Sequence, residues 1–454
     1  MTSEKRKSIH GTWTGRWTFI LAAAGSAVGL GNIWKFPYMA GEYGGGAFVL
    51  VYLVCILLIG VPIMIAEILI GRRGRSSPAN SMAYLAEEVK TFKQWKYLGV
   101  MGAIAGLLIL SFYSVAAGWA FAYIFEGFNG TSAEYYGQEF DSFLKDETRL
   151  ILFHSIFIFA TIFIVGRGVI KGLETWINRL MPVLFIIIVL LCIYATQTGA
   201  FFEGVSYLFT PDFSKINAKV ILAALGQAFF TLSLGMGAIM AYGAYMPANQ
   251  NIGSTALSVA FLDTSVALLA GIAIFPIVFA NNLEPATGPG LVFVTLPWAF
   301  VNMPLGIIFG KLFFILLSIA ALSSAISLLE PGVAWIVESL KTKRYVAAGG
   351  LGIIAWTLGI FSALSFDLLS GFTPIGDKNF FDSLDFLSNQ VLLPLGGIFI
   401  AIFVGWVMKR SNVLEELDLK NGLVIKIWFF LLRFVAPLLV GLVFIFAVFF
   451  GVVT

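Results

Sequence analysis

Segment 25–32 has residue types and spacing suited to holding a small ion or a zwitterion. It reads GSAVGLGN and lies in the middle of the first long apolar stretch of the chain. Its glycines should break a membrane helix, and backbone groups at membrane depth must be paired, line a cavity or hold a ligand. The break should free carbonyls that accept a cation and amides that donate to a carboxylate. These groups belong to Gly25, Ala27, Val28, Leu30 and Gly31.

A second interruption, TLSLGMG at 231–237, lies in the middle of the sixth apolar stretch. Thr231 and Ser233 would contribute carbonyls and hydroxyls there, and Asn32 would add a neutral side-chain oxygen from the first break. Neutral oxygens around an unwound turn suit a hard monovalent ion. The two interruptions therefore predict one binding region.

Polar side chains in two later apolar stretches extend this set. Asp263 lies inside the seventh stretch, where a carboxylate is expensive unless it faces a cation or a proton path. Ser323 and Ser324 follow Ala320 in the eighth stretch. Their hydroxyls either complete an oxygen cage or bond back to the preceding helical turn, and the residues alone favour back-bonding.

Composition identifies the elements that must position these residues. Of 454 residues, 59% are hydrophobic and 12% are charged, and the mean hydropathy is +0.93. Apolar runs of about 20 residues explain such values and predict an all-α integral membrane protein. The predicted spans number eleven: 17–39, 47–70, 97–125, 150–166, 173–199, 219–243, 254–280, 305–338, 345–366, 383–408 and 424–452.

The distribution of charge orients these spans. With the N-terminus cytoplasmic, most of the 28 Lys and Arg residues fall in cytoplasmic segments, as the positive-inside rule requires. The odd number of spans then places Thr454 outside a cell membrane. The bilayer is the expected surrounding, and no nucleic-acid partner is expected. Two cysteines and two histidines lack the neighbours that a structural metal site needs.

The spacing of the interruptions predicts the organisation of the chain. We expect one domain over 1–454, with a first repeat at about 17–199, a second at about 219–408 and an extra helix at about 424–452. Five helices per repeat invert the second unit relative to the first, and paired interruptions in such repeats mark the binding site. The proline-spaced segment 281–304 is expected to be a re-entrant cap, with an ordinary loop as the alternative.

Three motifs give the chain a resemblance to a known family. They are GSAVGLGNIWKFPY at 25–38, GGGAF at 44–48 and GQAFFTLSLG at 226–235. The chain resembles the neurotransmitter:sodium symporter family from about Trp13 to the last helix, and it is most similar to bacterial eleven-helix members that transport hydrophobic amino acids. The resemblance implies a LeuT-like 5+5 inverted repeat in which helices 1 and 6 are broken around substrate and two Na⁺ ions.

The resemblance also implies the residues of the site. The first sodium site would comprise Ala27, Asn32, Thr231 and Asp263, and the second Gly25, Val28, Ala320, Ser323 and Ser324. The match favours a cage over back-bonding for the two serines. Substrate would contact Ser26, Ala27, Leu30, Gly31, Ile109, Tyr113, Phe230, Thr231, Ser233, Met236, Ser324 and Leu328. Ordinary helix packing is the alternative for the apolar members of this set.

Single positions narrow the expected substrate and ions. Gly29 stands where amine-transporting relatives have an aspartate, so the protein supplies no carboxylate at this position. The expected substrate is therefore an α-amino acid, which carries its own carboxylate. The flexible side chain of Met236 suits both aliphatic and aromatic guests. Asp263 replaces a common asparagine, and Ala267 lacks the hydroxyl of chloride-dependent relatives. We therefore expect chloride independence, with Glu67 as a buried partner in the same region.

Gating residues are implied at both ends. The outer pair is Lys35, where arginine is usual, and Asp385. The cytoplasmic set is Trp13, Arg16, Tyr245 and Glu338.

His10 replaces the usual N-terminal arginine, so Arg6 or Lys7 is expected to substitute for that arginine. Gly172 and Pro182 imply local unwinding at the start of helix five, with a tolerated kink as the alternative.

The leading hypothesis is sodium-coupled import of hydrophobic L-amino acids by alternating access. A transporter of amines or of small polar amino acids is the near alternative, which Gly29 and the apolar pocket disfavour. A substrate-gated channel or a sensor is a more distant one. No set of nucleophile, base and orienting residue indicates an enzyme.

Overall fold

The computed structural model describes residues 6, 8–130, 132–283, 288–419 and 422–451. Within those ranges every regular element is a helix, accompanied by two isolated β-bridges. A helix pairs its own backbone groups, which apolar segments in a bilayer require. The predicted all-α class is confirmed. Thr454, whose outer location was predicted, and Lys7 lie outside the described residues.

In the described part of the chain, nine helices are long and apolar enough to cross a membrane, and a bent pair makes a tenth. We number the spans in chain order. Span 1 is the bent pair, and span 6 consists of two short helices. The others are Gly46–Gly74, Lys93–Glu126, Glu147–Gly166, Val169–Ala195, Ile252–Ala280, Gly306–Leu340, Arg344–Leu364, Phe380–Val407 and Leu423–Phe450.

Span 1 breaks where the glycines predict. Its first half is Arg16–Ala27, its second half is Gly31–Glu42, and the two halves are bent by 57°. Val28 has extended backbone angles, φ −68° and ψ 108°, which end the first half. The carbonyls of the last turn consequently point away from a continuing helix.

Span 6 is interrupted for longer. It consists of Ala218–Thr231 and Ala238–Ala244, with a non-helical connection between them. Three residues of the connection have positive φ: Ser233 at 55°, Gly235 at 83° and Gly237 at 77°. Left-handed backbone suits glycine but costs about 1–3 kcal/mol for a residue such as serine. The sequence therefore opens this helix at a defined point, with some strain at Ser233.

The remaining helices lie between the spans. They are Pro78–Glu88, Ala133–Lys145, Phe201–Phe209, Phe213–Lys215, Leu291–Thr295, Leu296–Val301 and Arg410–Leu417. Among the nine continuous spans of the described chain, burial is greatest along span 8, where 72% of the most apolar stretch is covered, and least along span 11, where 28% is covered. Span 8 therefore belongs to the centre of the bundle and span 11 to its edge.

The segment predicted as a cap forms two short helices, Leu291–Thr295 and Leu296–Val301. Phe293 is fully buried, with its ring 5.6 Å from that of Trp34 on span 1. The indole of Trp34 donates to the carbonyl of Gly288. The described part of the segment packs onto the second half of span 1 as a cap, whereas 284–287 lie outside the described residues.

Helix five differs from the expectation for Gly172 and Pro182. Residues Val169–Glu174 form a wide π-helical turn, and Thr175–Ala195 continue as an α-helix that contains Pro182. The predicted unwinding between the two residues is absent from this structure. The wide turn accommodates the irregularity, and proline removes one N–H without ending the helix.

Candidate functional site

The two breaks face each other and are joined directly. The hydroxyl of Ser233 donates to the carbonyl of Ser26 over 2.9 Å, which connects the opened turn of span 6 to the end of the first half of span 1. Gln227 donates from Nε2 to the carbonyl of Gly31 over 2.8 Å. Backbone carbonyls that the break in span 1 exposes are therefore hydrogen-bonded to side chains of span 6, and backbone groups inside a bilayer need such partners.

A cavity of about 30 Å³ lies between the breaks and spans 3 and 8. All twelve residues predicted to contact substrate line it, with Gly29 as the thirteenth lining residue. All of them except Phe230 are buried, and Phe230 is half-buried. The volume holds a few water molecules. An amino acid therefore needs the side chains around it to move apart.

Gly29 is packed too closely for a side chain. A Cβ atom there would lie 2.6 Å from Ser324 Oγ and 2.7 Å from Tyr113 Oη. An aspartate at this position has no room in this structure. The protein therefore supplies no carboxylate beside the cavity at residue 29, in agreement with the sequence argument.

One end of the cavity offers hydrogen-bond donors. The amide of Leu30 donates to the hydroxyl oxygen of Tyr113 over 3.2 Å. A hydroxyl that accepts one bond keeps its proton for another acceptor. The amides of Leu30 and Gly31 lie at the start of the second half of span 1, where the helix dipole favours negative charge, and Tyr113 approaches them from span 3. This end suits a carboxylate.

Asp263 forms the centre of the first predicted sodium site. Its side chain is fully buried and accepts from Asn32 Nδ2 over 2.7 Å and from Thr231 Oγ1 over 3.2 Å. Asn32 Oδ1 in turn accepts from the amide of Gly29 over 3.0 Å. Ala27, the fourth predicted member, lines the adjoining cavity. The structure brings the four predicted residues together.

The charge on Asp263 lacks a basic partner. Among the ion pairs of the described residues, none includes this carboxylate. A buried anion without a counter-charge costs several kcal/mol. The arrangement can therefore accept a cation, and its oxygen atoms suit a hard one.

The second predicted sodium site is also assembled. Ser324 Oγ lies 3.0 Å from the carbonyl of Val28 and 3.4 Å from that of Gly25. Ser323 Oγ donates to the carbonyl of Ala320 over 2.9 Å. The two serines thus differ, because one bonds back within its own helix while the other reaches across to span 1. Three backbone carbonyls and two serine hydroxyls of the predicted residues therefore lie where spans 1 and 8 touch.

Glu67, predicted to be buried in the region of Asp263, is fully buried, and its Oε1 accepts from the amide of Gly235 over 2.7 Å, so it stabilises the break of span 6. Nothing in the sequence indicated a role for Gln227, although this residue lies inside the quoted motif. Its bond to Gly31 joins the broken helices, and only the contact across the bundle reveals it.

The end predicted to be cytoplasmic is closed by aromatic and polar contacts. Trp13 is 2% exposed, and its indole donates to the carbonyl of Tyr242. Its ring lies 6.1 Å from that of Tyr245. The hydroxyl of Tyr245 donates to Glu330, which also pairs with Arg344.

Glu338 collects four donors at this end. His10 Nε2 lies 3.0 Å from its Oε1, and the amide and hydroxyl of Ser77 and the side chain of Asn80 donate to it as well. His10 therefore takes the place for which Arg6 or Lys7 was expected. Arg6 lies over the ring of Tyr84 instead.

Arg16 stands apart from this cluster, since its guanidinium donates to Ser254.

The predicted outer pair is not in direct contact. No ion pair within 4.0 Å joins Lys35 and Asp385. The Lys35 ammonium lies 4.9 Å from the centre of the Phe230 ring, and Asp385 accepts from Asn389 over 2.6 Å. The cation therefore rests on the aromatic residue that bounds the cavity.

Comparisons with known proteins place this geometry in a family. The model of the sodium:neurotransmitter symporter family matches residues 10–133 and 132–451. The chain belongs to this family. It is 38% identical over 442 residues to the uncharacterised sodium-dependent transporter YhdH of Bacillus subtilis (strain 168), covering 95% of this chain and 96% of that one. An uncharacterised sodium-dependent transporter of Haemophilus influenzae is 35% identical and is covered to 97%.

A solved structure shows the same fold. The crystal structure of MhsT in complex with L-phenylalanine is similar with a TM-score of 0.88 and 48% identity, over 96% of this chain and 99% of that one. The predicted LeuT-like architecture, with its broken helices 1 and 6, is confirmed. The protein is a multi-pass membrane transporter that uses sodium, and it is not an enzyme.

Proposed function

We propose that this transporter imports hydrophobic L-amino acids, both aliphatic and aromatic, together with sodium. The observation that carries the proposal is the buried cavity at the two breaks, which is lined both by hydrogen-bonding groups and by apolar side chains. MhsT, the similar solved structure, is in complex with L-phenylalanine.

The substrate backbone would occupy the polar end of the cavity. The amides of Leu30 and Gly31 and the hydroxyl of Tyr113 would hold the carboxylate. Carbonyls of Ala27, Phe230 and Thr231 and the hydroxyl of Ser233 would hold the amine. Gly29 leaves no space for a protein carboxylate, which disfavours a simple amine as substrate.

The substrate side chain would contact apolar walls. Ile109, Met236 and Leu328 are each less than 5% exposed and line the cavity. No charged residue lines it. Such walls favour hydrophobic side chains over small polar ones, because a polar group buried without a partner costs about 1–3 kcal/mol.

Two sodium ions would be co-transported. The first would bind Ala27, Asn32, Thr231 and Asp263 with the substrate carboxylate, and the second would bind Gly25, Val28, Ala320, Ser323 and Ser324. In the first site, Asn32 would turn its amide so that an oxygen faces the ion, because Nδ2 now faces Asp263. Ion and substrate thus share one site, which couples their binding.

Chloride would not be required. Asp263 supplies a fixed negative charge beside the first sodium site, and Ala267 is a buried alanine on the same span. An external anion would add a second negative charge to a buried region, which is electrostatically unfavourable.

Alternating access would proceed by rearranging the two ends. The end with Trp13 and Glu338 is closed in this structure, whereas Lys35 and Asp385 are not paired at the other end. Substrate and sodium would enter past Lys35, and the loaded protein would then open past Trp13, with Tyr245 and Arg16 changing partners. The wide turn near Gly172 and the proline at 182 would provide a weak point in span 5.

We also propose the placement of the chain in the cell. It forms one domain over 1–454 with repeats at about 17–199 and 219–408, and it lies in the cell membrane with a cytoplasmic N-terminus and an outer C-terminus. Most Lys and Arg residues then face the cytoplasm.

Uptake into proteoliposomes tests the proposal. Leucine and tryptophan should both accumulate under an inward sodium gradient, but not in a potassium control. Sodium-dependent binding without accumulation would indicate a sensor, and sodium-driven uptake of glycine or an amine instead would move the substrate to the near alternatives.

A further inference from the structure

A second cavity lies directly behind one wall of the substrate cavity. It measures about 70 Å³ and is lined by residues of spans 3, 8 and 9: Ala103, Ile104, Leu107, Leu328, Leu329, Gly332, Trp335, Ile336 and Leu351. None of the lining residues carries a charge. Leu328 lines this cavity and the substrate cavity alike, so its side chain separates the two.

The substrate cavity is too small for an amino acid and must expand. Its volume is about 30 Å³, less than half that of the cavity behind Leu328. Expansion by moving the helices apart would break close backbone packing on this side. A Cβ on Gly106 would lie 2.6 Å from the carbonyl of Leu328, and one on Gly102 would lie 2.9 Å from the backbone of Met236. Backbones in such close contact leave the side chains to move.

Leu328 is well placed to move. Pro331, three residues later, lies inside the helix and cannot donate to the carbonyl of Ser327, so this turn of span 8 lacks one backbone hydrogen bond. Gly332 creates the space beyond, because a Cβ there would lie 2.9 Å from Leu351 Cδ1. The space is apolar, so a leucine side chain can enter it without burying an unpaired polar group.

We infer that Leu328 is a movable partition, and that its displacement into the second cavity lets the substrate site accept side chains larger than leucine. The inference rests on the proposed function and adds a specificity-determining residue to it. A small aliphatic substrate leaves Leu328 in place. An aromatic substrate pushes it into the space bounded by Ala103 and Gly332, so the second cavity determines the upper size limit.

Filling the second cavity tests the inference. Ala103→Leu adds three carbon atoms to it from span 3, opposite the substrate site. In proteoliposomes, the half-inhibition concentration of tryptophan against leucine uptake should rise about tenfold, while half-saturation by leucine stays within about twofold. Ala160→Leu, on span 4 and not among the lining residues, is the matched control and should change neither value.

A second variant keeps the test decisive if Ala103→Leu takes up no leucine. Leu351→Ala enlarges the cavity from span 9 and should lower the half-inhibition concentration of tryptophan relative to that of leucine. The inference is overturned if the preferences stay unchanged in a variant that takes up leucine, or if both amino acids weaken equally. Failure of the wild-type protein to take up either amino acid would instead refute the proposed function itself.

Discussion

Replacing Asp263 by asparagine removes the one buried negative charge at the first proposed sodium site while keeping the shape of the side chain. The carboxylate is fully buried, accepts hydrogen bonds from Asn32 and Thr231, and has no basic partner among the described residues. A sodium ion is therefore the counter-charge that the account assigns to it. The substitution should weaken sodium binding more than it weakens the fold.

The size of the effect follows from Coulomb's law. Two unit charges about 4 Å apart attract by about 4 kcal/mol at an effective dielectric constant of about 20. That energy corresponds to about a thousandfold in affinity. The amide oxygen of asparagine still coordinates a cation, which recovers part of the loss. We expect the sodium concentration for half-maximal leucine uptake to rise about 10- to 100-fold.

The assay is leucine uptake into proteoliposomes at graded sodium concentration, with ionic strength held constant by potassium. Asp212→Asn is the matched control, since Asp212 lies outside the spans and its carboxylate accepts from the nearby Ser214. It should leave the sodium dependence unchanged. Wild-type sodium dependence in Asp263→Asn, in a variant that takes up leucine at the normal maximal rate, would refute the electrostatic reasoning.

Particular contacts predict the effects of three further substitutions and of replacing chloride. Gly29→Ala should weaken leucine binding about tenfold or more in a binding assay, because overpacking costs about 1–3 kcal/mol. Gly350→Ala is the control: its added Cβ would have no atom within 4 Å, so leucine binding should stay unchanged. Ser324→Ala should raise the half-saturating sodium concentration about tenfold through lost coordination, and Ser318→Ala, which loses only a bond within its helix, should not. His10→Ala should increase labelling of a cysteine introduced below the cavity, since the Glu338 contact that helps to close that end is lost, and unchanged labelling would contradict this role. Replacing chloride by gluconate should leave leucine uptake unchanged, and a fall in uptake would contradict the role given to Asp263.

Local sequence predicted much of the fold because helix breaks are local events. Glycines at 25–31 and at 235–237 placed both interruptions within a few residues, and the apolar runs placed the spans. The twelve predicted substrate-contact residues surround one cavity because the resemblance to the family extends along the chain and relates positions of spans 1, 3, 6 and 8 that meet in the fold.

Contacts between residues that lie far apart in the chain were harder to predict from the sequence than the helix breaks. Glu338 is held by His10, Ser77 and Asn80, which lie hundreds of positions away in the chain, and their identities alone do not indicate a common partner. Glu67 was predicted to be buried in the region of Asp263, but its hydrogen-bond partner was not predicted, because the opened backbone at Gly235 that supplies the donor is a feature of the folded chain.

Whether span 5 is unwound or helical could also not be predicted from the sequence. Gly172 and Pro182 mark where span 5 is weak, but the segment is helical here. Glycine and proline indicate where a helix can unwind, whereas the tertiary contacts of the helix decide whether it does.

Simultaneous measurement of sodium and leucine flux shows whether the two are coupled at the broken helices. Proteoliposomes would receive ²²Na⁺ and tritiated leucine, and the initial entry of each would be recorded with and without the other. We expect that leucine entry requires sodium, that leucine stimulates sodium entry, and that about two sodium ions enter per leucine under this mechanism. Leucine entry that proceeds without sodium, or sodium entry that leucine leaves unchanged, would contradict coupling at the two broken helices.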